Sequence, residues 1–126
     1  MAGSSLYRFR KDKRLLNAAA YGHVFKKATR SRDKWFTVLS RDNEGKAARL
    51  GLAISKKHCR DATQRNRIKR IVRESFRHHQ AALGGLDIVV INQPATRDGS
   101  NQQLMDSLER HWQQCEQSRA GQSKQE

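Results

Sequence analysis

The sequence has no long hydrophobic run and only two cysteines, and each shortage excludes a class of protein. No run of about 18 apolar residues is present, so a membrane-spanning helix is excluded. Residues 1–14 are polar and basic without an apolar segment, so no secretory signal is expected. Cys59 and Cys115 are far apart and match no zinc spacing. Two reduced thiols in a cytoplasmic protein are therefore expected, although the sequence leaves a disulfide open.

Motifs for catalysis by the protein itself are also missing. There is no Walker loop and no glycine-rich dinucleotide fingerprint. The carboxylates are scattered, so no pair is placed to hold magnesium for hydrolysis. The adjacent His78 and His79 would diverge by about 100° on a helix and cannot easily share one metal. These absences argue against a nuclease that works without a partner.

Positive charge is what the sequence has in excess. Lysine and arginine number 26 against 12 aspartate and glutamate residues, which gives a net charge of +14. A chain with this charge repels itself and needs a polyanion as partner. Membrane surfaces and acidic proteins are the alternatives, but the apolar residues recur on core-like faces rather than on an exposed interfacial helix. Nucleic acid is therefore the predicted partner, with no membrane and no small-molecule substrate.

The pattern of apolar residues predicts one α+β domain, a mixed α/β two-layer sandwich. The order of elements is helix, strands, helix, strand, helix. We expect a basic arm over residues 1–13, a single RNA-binding domain over residues 14–116 and a flexible polar tail over residues 117–126. The first helix begins near Asn17, and residues 30–34 form a charged connection after it. The pattern does not determine the order of the strands.

Three strands are predicted. Residues 34–40 and 47–55 alternate in polarity and flank the turn residues 42–45, so a hairpin is expected. The second of these strands carries leucines and Ile54 on one face and small or basic residues on the other. Such a face often lets a backbone or ligand approach closely, although an ordinary solvated face is the more common case. Residues 86–92 form a β-branched run, which predicts a strand buried on both faces.

The last helix is predicted to begin at Ser100, because Ser100 and Gln103 form a capping box. Its apolar residues recur along one stripe, which identifies them as candidate core. They are Leu104, Leu108, Trp112 and Cys115, with Met105 beside them.

Residues 56–77 are the most basic part of the chain and are predicted to be helical from Asp61 or Thr63 to about Leu83. On a helix the apolar residues share one face, and the basic residues form a column on the other. Arginine predominates there, and its planar fork suits phosphate better than lysine does. Asn66 offers a donor and an acceptor for a base edge or a 2′-hydroxyl. The alternative is a solvated basic face. The predicted RNA-binding residues are Lys56, Lys57, Arg60, Arg65, Asn66, Arg67, Lys69, Arg70, Arg73 and Arg77.

Residues 65–70 read Arg-Asn-Arg-Ile-Lys-Arg, and this string resembles the signature of the bacterial ribonuclease P protein family. Residues 51–57 (GLAISKK) and 71–77 (IVRESFR) are also similar to that family, and looser similarity covers residues 9–112. The resemblance implies a fold like domain 2 of ribosomal protein S5, with an uncommon left-handed βαβ crossover. It also implies one more short strand before the basic helix than the pattern shows.

The same resemblance implies a function. The chain would be the protein subunit of a holoenzyme whose RNA subunit uses Mg²⁺ to remove the 5′ leader of precursor tRNA, leaving the mature 5′ end. The basic helix and its loop would face the catalytic RNA, and a cleft between the first helix and the sheet would hold the leader. Aromatic rings there could stack unpaired bases, although Phe25 has core packing as its alternative. The matching cleft residues are Tyr21, Phe25, Phe36, Arg49 and Ser55.

Two further points qualify this interpretation. Asn92 and Gln93 stand where the family usually carries a basic pair. A ribosomal-type protein or RNA chaperone with a similar basic fold is the alternative function, but such a protein needs basic residues without needing the order found at residues 65–70.

Overall fold

The structure, a computed structural model, describes residues 28–125, and side chains as far as residue 118. The predicted first helix, with Tyr21 and Phe25, and the basic arm lie outside the described residues. None of the helices described is long and apolar enough to cross a membrane. The elements are β1 (Thr29–Arg32), β2 (Phe36–Asp42), β3 (Arg49–Ala53), α1 (Ala62–His79), β4 (Leu86–Asn92), a 3-10 helix (Pro94–Asp98) and α2 (Asn101–Gln125).

The strands form one sheet in the order β1-β2-β4-β3, so the predicted hairpin between residues 34–40 and 47–55 is wrong. β2 runs antiparallel to β1 and β4, and β4 lies between β2 and β3. The turn residues do redirect the chain, with Glu44 and Gly45 at positive φ. The loop then pairs with the start of β4: Asn43 N–H donates to the Gly85 carbonyl, and Gly85 N–H donates to that of Lys46. The β-branched β4 takes the central position because it can bury both faces.

β1 is the additional strand that the resemblance implied, and part of it lies where a charged connection was predicted. Its sequence, TRSR, alternates in burial but contains no apolar residue. Hydropathy therefore gave no sign of it. β1 is an edge strand, paired only with β2 among the residues described.

α1 and α2 pack on one face of the sheet, which confirms the predicted α+β sandwich. The apolar stripes of both helices meet the strands in a single core. Within it Trp112 donates to Ser75 Oγ at 2.8 Å and contacts the Phe76 ring edge-on. β3 and β4 are parallel neighbours joined through α1, which is the expected βαβ unit. Its left-handed sense stays a prediction.

The helix ends follow the predicted caps at their N-termini and differ at their C-termini. Asp61 caps α1 by accepting from Thr63 N–H, and Ser100 and Gln103 form the predicted capping box. α1 ends at His79 instead of near Leu83, because Leu83 folds back in a turn and is buried in the core. The α2 backbone stays helical to Gln125, since residues 117–125 include good helix formers. The flexibility of that tail stays a prediction.

Asp33 holds the β1–β2 turn against α2. Its Oδ1 accepts from the amides of Trp35 (2.8 Å) and Phe36 (2.9 Å), and its Oδ2 accepts from Ser107 Oγ (2.6 Å). Burial alone would raise the pKa of this carboxyl. The hydrogen bonds from Ser107 and the two amides, together with His111, bring the pKa below its usual value.

His111 is buried between β1 and α2. Its Nδ1 lies 2.7 Å from Ser31 Oγ, and its Nε2 lies 3.3 Å from Asp33 Oδ2, an oxygen that Arg110 approaches at 3.7 Å. Burial lowers the pKa of His111 below its usual value, against the attraction of Asp33 and with the help of Arg110. At neutral pH the imidazole is therefore uncharged in the folded protein.

We expect acidification to destabilise the protein through His111. Because its pKa is lower in the folded state, the unfolded chain takes up the proton first, so stability is complete above about pH 6.5 and is lost as the pH falls below that value. Denaturant unfolding at about pH 7.5 and about pH 5.5 measures the loss. A His111→Gln variant, which cannot titrate at this position, should lose less. If the wild type and the variant lose equal stability on acidification, His111 is not the group responsible.

Candidate RNA interface

The face of α1 turned away from the core carries an exposed stripe of polar and basic residues. Asn66, Arg70 and Arg73 are exposed, and their i, i+4, i+7 spacing places them in one line, called here the α1 stripe. With Glu74 and Arg77 they line an open groove of about 370 Å³. Because the guanidinium groups of Arg70 and Arg73 are already exposed, each can bind a phosphate without a rearrangement of the protein.

Arg67 does not belong to this exposed stripe, although the sequence predicted that it binds RNA. Its Nε donates to Gln64 Oε1 at 2.8 Å and its Nη1 to Asn101 Oδ1 at 2.6 Å. Its Nη2 reaches the carbonyls of Thr96 (3.4 Å) and Gly99 (3.2 Å). Arg67 therefore ties α1 to the 3-10 helix and to the first residue of α2.

Arg65 is also engaged within the protein. Its Nη1 donates to the carbonyls of Cys59 (3.0 Å) and Arg60 (2.7 Å), in the loop before α1. Ser55 Oγ shapes the start of the same loop by accepting from Lys57 N–H at 3.0 Å. Arg65 thus orders the loop that carries predicted RNA-binding lysines instead of presenting its whole guanidinium outward.

Arg77 contributes less positive charge to the surface than the sequence suggested. It is paired with Glu74, which also lies 3.1 Å from His78 Nε2. The hydrogen bond from His78 and the charge of Arg77 lower the pKa of Glu74. An ionised Glu74 therefore offsets the basic groups at the C-terminal end of α1.

The predicted RNA-binding residues thus fall into two groups. Arg65, Arg67 and Arg77 make the internal contacts just described. The others lie at the surface, with Lys69 half-buried. The exposed members are Lys56, Lys57, Arg60, Asn66, Arg70 and Arg73.

The sheet face that α1 and α2 do not cover, called here the open sheet face, has a small apolar centre of Leu39 and Val89, both buried. Arg49 lies on this face in a bidentate pair with Asp87, Nε to Oδ1 at 2.7 Å and Nη2 to Oδ2 at 2.5 Å. The hydrogen bonds that Arg49 donates to Asp87 raise the pKa of Arg49. Its charge is therefore largely offset, although its side chain is 32% exposed. Ser55 follows β3 at the end of the same face.

Phe36 cannot serve as the predicted cleft aromatic in this conformation. It is fully buried in the main core, on the face of β2 that meets the helices. Successive strand residues alternate between faces, and Val38 shares the helix-side face with Phe36. The remaining predicted aromatics, Tyr21 and Phe25, lie outside the described residues.

Sequence analysis missed Arg30, Arg32 and Arg41 as surface residues of the open sheet face. Strand pairing aligns Arg30 with Leu39, Arg32 with Thr37 and Arg41 with Asp87. The alternation in TRSR was the available signal, but four polar residues without an apolar neighbour do not stand out as a strand.

Comparison with known proteins identifies the family. A family model described as Ribonuclease P matches residues 9–116. The chain belongs to this family. It is 48% identical over 104 residues to the ribonuclease P protein component of Thioalkalivibrio sulfidiphilus, covering 82% of this chain and 87% of that protein. It is 46% identical over 106 residues to that of Methylococcus capsulatus, covering 84% and 83%. The chain is therefore a protein component of ribonuclease P, an endoribonuclease that also has an RNA subunit.

Solved structures of ribonuclease P proteins share the fold. The Staphylococcus aureus protein aligns with a TM-score of 0.72 at 32% identity, covering 78% of this chain and 90% of that one. The Thermotoga maritima protein aligns with a TM-score of 0.71 at 29% identity, covering 80% and 96%.

Asn92 and Gln93, where the resemblance implied a basic pair, connect elements of the fold. Asn92 is fully buried, and its Oδ1 accepts from Ser55 N–H at 2.7 Å. Gln93 Nε2 donates to Thr37 Oγ1 at 2.6 Å, and its N–H donates to the Trp35 carbonyl. These two residues therefore fasten the end of β4 to β2 and to the loop before α1.

The described residues do not offer a metal site. In residues 28–125 no group of three histidine, cysteine or acidic side chains is placed to hold a metal ion. Cys59 and Cys115 are buried free thiols. Burial raises the pKa of Cys115 to about 11, which leaves it protonated at neutral pH.

Proposed function

We propose that the chain binds the RNA subunit of ribonuclease P through the α1 stripe and binds the 5′ leader of precursor tRNA on the open sheet face. The observation that carries this proposal is the placement of two basic surfaces on opposite layers of the sandwich. The α1 stripe lies outside the helical layer, and the arginines of β1 lie on the far side of the sheet. A small protein with this arrangement can contact two RNA segments at once.

Electrostatics explains what the protein would contribute. Arg70 and Arg73 are near-neighbours of like charge on one helix face, which costs a few tenths of a kcal/mol per pair until phosphates neutralise them. Phosphate binding also releases counterions from the RNA, which favours association at low salt. The chain would thereby reduce the repulsion between the RNA subunit and the precursor.

We assign the Mg²⁺ used in cleavage to the RNA subunit. The described residues hold no suitable cluster of ligands, and Asp87, the carboxylate on the open sheet face within these residues, is already paired with Arg49 and Asn43. The protein would support the reaction by binding and orienting RNA, in the cytoplasm, where free thiols persist.

The first test is precursor-tRNA cleavage at low magnesium and near-physiological salt, comparing RNA subunit alone, RNA with protein, and RNA with an Arg70→Ala/Arg73→Ala variant. The wild-type protein should rescue cleavage. The variant should need roughly tenfold more protein, and the slope of log affinity for the RNA subunit against log salt should fall by about 1 per arginine. Arg65 and Arg67 are unsuitable for this test because their removal would disturb the fold.

A Lys46→Ala/Arg110→Ala variant removes the same charge from exposed positions away from the α1 stripe and should behave like wild type. Binding to structured RNA without rescue of cleavage would favour the RNA-chaperone alternative. Cleavage by the protein alone would overturn both functions.

A further inference from the structure

The side chain of Asn92 extends the pairing between β3 and β4 beyond the last pair of strand residues. The parallel pairing of these two strands ends at Ala53 and Ile91. Beyond that pair, Asn92 Oδ1 accepts from Ser55 N–H at 2.7 Å, and Asn92 Nδ2 donates to the Ser55 carbonyl at 3.5 Å. Because a carboxamide has the same kinds of donor and acceptor as a peptide group, Asn92 pairs with the Ser55 backbone as a neighbouring strand would.

Asn92 is a polar residue on a face of β4 that is otherwise apolar. Ile88 and Val90 lie in the main core under the helices, and the alternation of strand residues places Asn92 on the same side. Its side chain is fully buried. A buried carboxamide lowers stability unless its hydrogen bonds are made, and here they are made to the Ser55 backbone. The choice of asparagine is therefore explained by its hold on Ser55.

Ser55 in turn sets the path of the loop before α1, residues 55–61. The Ser55 carbonyl accepts from Cys59 N–H at 3.1 Å, and Ser55 Oγ accepts from Lys57 N–H at 3.0 Å. Arg65 holds the other end of the loop through the two carbonyls described above. The loop is therefore fastened at both ends through its backbone.

The fastened loop presents positive charge to solvent. Lys56, Lys57 and Arg60 are exposed, and within residues 28–125 none of the three is in an ion pair. The carboxylate of the same loop, Asp61, accepts from Thr63 N–H at 2.8 Å as the cap of α1. A loop that is fixed in one path holds its charges in place before RNA binds, so less backbone freedom is lost on binding.

We propose that Asn92 is a positioning residue for binding of the RNA subunit and that it acts through Ser55 on Lys56 and Lys57. This inference rests on the proposed function, in which exposed basic residues of this chain bind the RNA subunit. Asn92 is too deeply buried to contact RNA itself. Its removal leaves the net charge unchanged but releases the backbone that carries the two lysines, so RNA binding must then order the loop as well.

The test is a double-mutant cycle on the affinity for the RNA subunit, measured without precursor tRNA. Asn92→Ala should weaken binding about tenfold although it removes no charge. Lys56→Ala/Lys57→Ala should also weaken binding about tenfold, and should lower the slope of log affinity against log salt by about 2. When both lysines are absent, Asn92→Ala should weaken binding less than about twofold, because the effects of residues that act through one another are not additive.

Two controls separate positioning from a general loss of stability. Val38→Ala truncates the core at β2 and should lower stability while leaving the affinity of the folded protein unchanged. In Asn92→Ala, hydrogen exchange should become faster at the amides of Lys57 and Cys59 but not at the central amides of β4. If Asn92→Ala does not fold, Ser55→Ala tests the same route, since it removes the acceptor of Lys57 N–H, with an expected loss of about threefold.

The possible outcomes are distinguishable. Unchanged affinity in folded Asn92→Ala, an equal loss in Val38→Ala, or losses that add fully to those of the lysine variant would each overturn the inference. If neither Asn92→Ala nor the lysine variant changes the affinity but Arg70→Ala/Arg73→Ala does, the inference is wrong and the proposed function stands. If Arg70→Ala/Arg73→Ala also binds as wild type does, the proposed binding of the RNA subunit is itself wrong.

Discussion

Replacing Arg67 by alanine is expected to lower the free energy of unfolding by about 3 kcal/mol and to leave the salt dependence of RNA binding nearly unchanged. The side chain donates to Gln64, Asn101 and two carbonyls, so its loss removes a charged donor from several acceptors at once. The Thr96 residue it contacts is fully buried, so water cannot easily replace the lost hydrogen bond. Chemical denaturation and RNA titrations at several salt concentrations measure the two effects.

The matched variant is Arg67→Lys, which keeps the charge and loses the planar fork. A lysine donates from a single nitrogen, so it cannot replace hydrogen bonds that the guanidinium makes in several directions. It should therefore recover less than half of the lost stability. Arg70→Ala should show the opposite pattern, with stability within about 0.5 kcal/mol of wild type and a salt slope lower by about 1. If Arg67→Ala is as stable as wild type and lowers the salt slope, Arg67 binds phosphate and the internal role is wrong.

Much of the architecture could be predicted because it depends on patterns within single segments. The i, i+3, i+4 apolar spacing in α1 and α2 located their buried faces, and the capping residues Asp61 and Ser100 marked where the helices begin. The β-branched run of β4 predicted that this strand is buried on both faces. Each of these features depends on residues close together in the sequence, and each is determined by burial or by one hydrogen bond.

What the sequence could not give depends on partners far apart in the chain. A column of arginines does not show which member meets Asn101 or the Gly99 carbonyl, more than 30 residues away. The strand order could not be predicted for the same reason. The same turn residues can begin a two-strand hairpin or a loop that pairs with Gly85. β1 was missed because its inward side chains, Thr29 and Ser31, are hydroxyls and not apolar groups, and Ser31 bonds to His111 of α2.

The basic string at residues 65–70 therefore includes residues with two different roles in this chain. Asn66 and the arginines one and two turns further along α1 face outward, while Arg65 and Arg67 hold the loop and the 3-10 helix that flank the exposed residues. The order Arg-Asn-Arg thus places one exposed residue, proposed to contact RNA, between two arginines that fix the segments around it, and a merely basic string would lack these internal contacts.

The second large effect is expected at Asp33, where replacement by alanine should lower the free energy of unfolding by about 3 kcal/mol. The carboxylate accepts from two amides of the β1–β2 turn and from Ser107, whose side chain is fully buried. Alanine leaves the Ser107 hydroxyl without its acceptor and leaves the turn without its cap. Among residues 28–125, β1 pairs with β2 and bonds to α2 but has no strand on its other side, so the edge strand should loosen before the core does. Denaturant unfolding followed by tryptophan fluorescence measures the loss.

Asp33→Asn separates the hydrogen bonds from the charge. The amide oxygen can still accept from Trp35 and Phe36, so the variant should lose only about 1 kcal/mol at neutral pH. The negative charge of Asp33 opposes the lowering of the His111 pKa, so its removal should lower that pKa further and make the protein more sensitive to acid than wild type. If the Asp33 variants are as stable as wild type and no more sensitive to acid, the turn is held by the pairing of β1 with β2 alone.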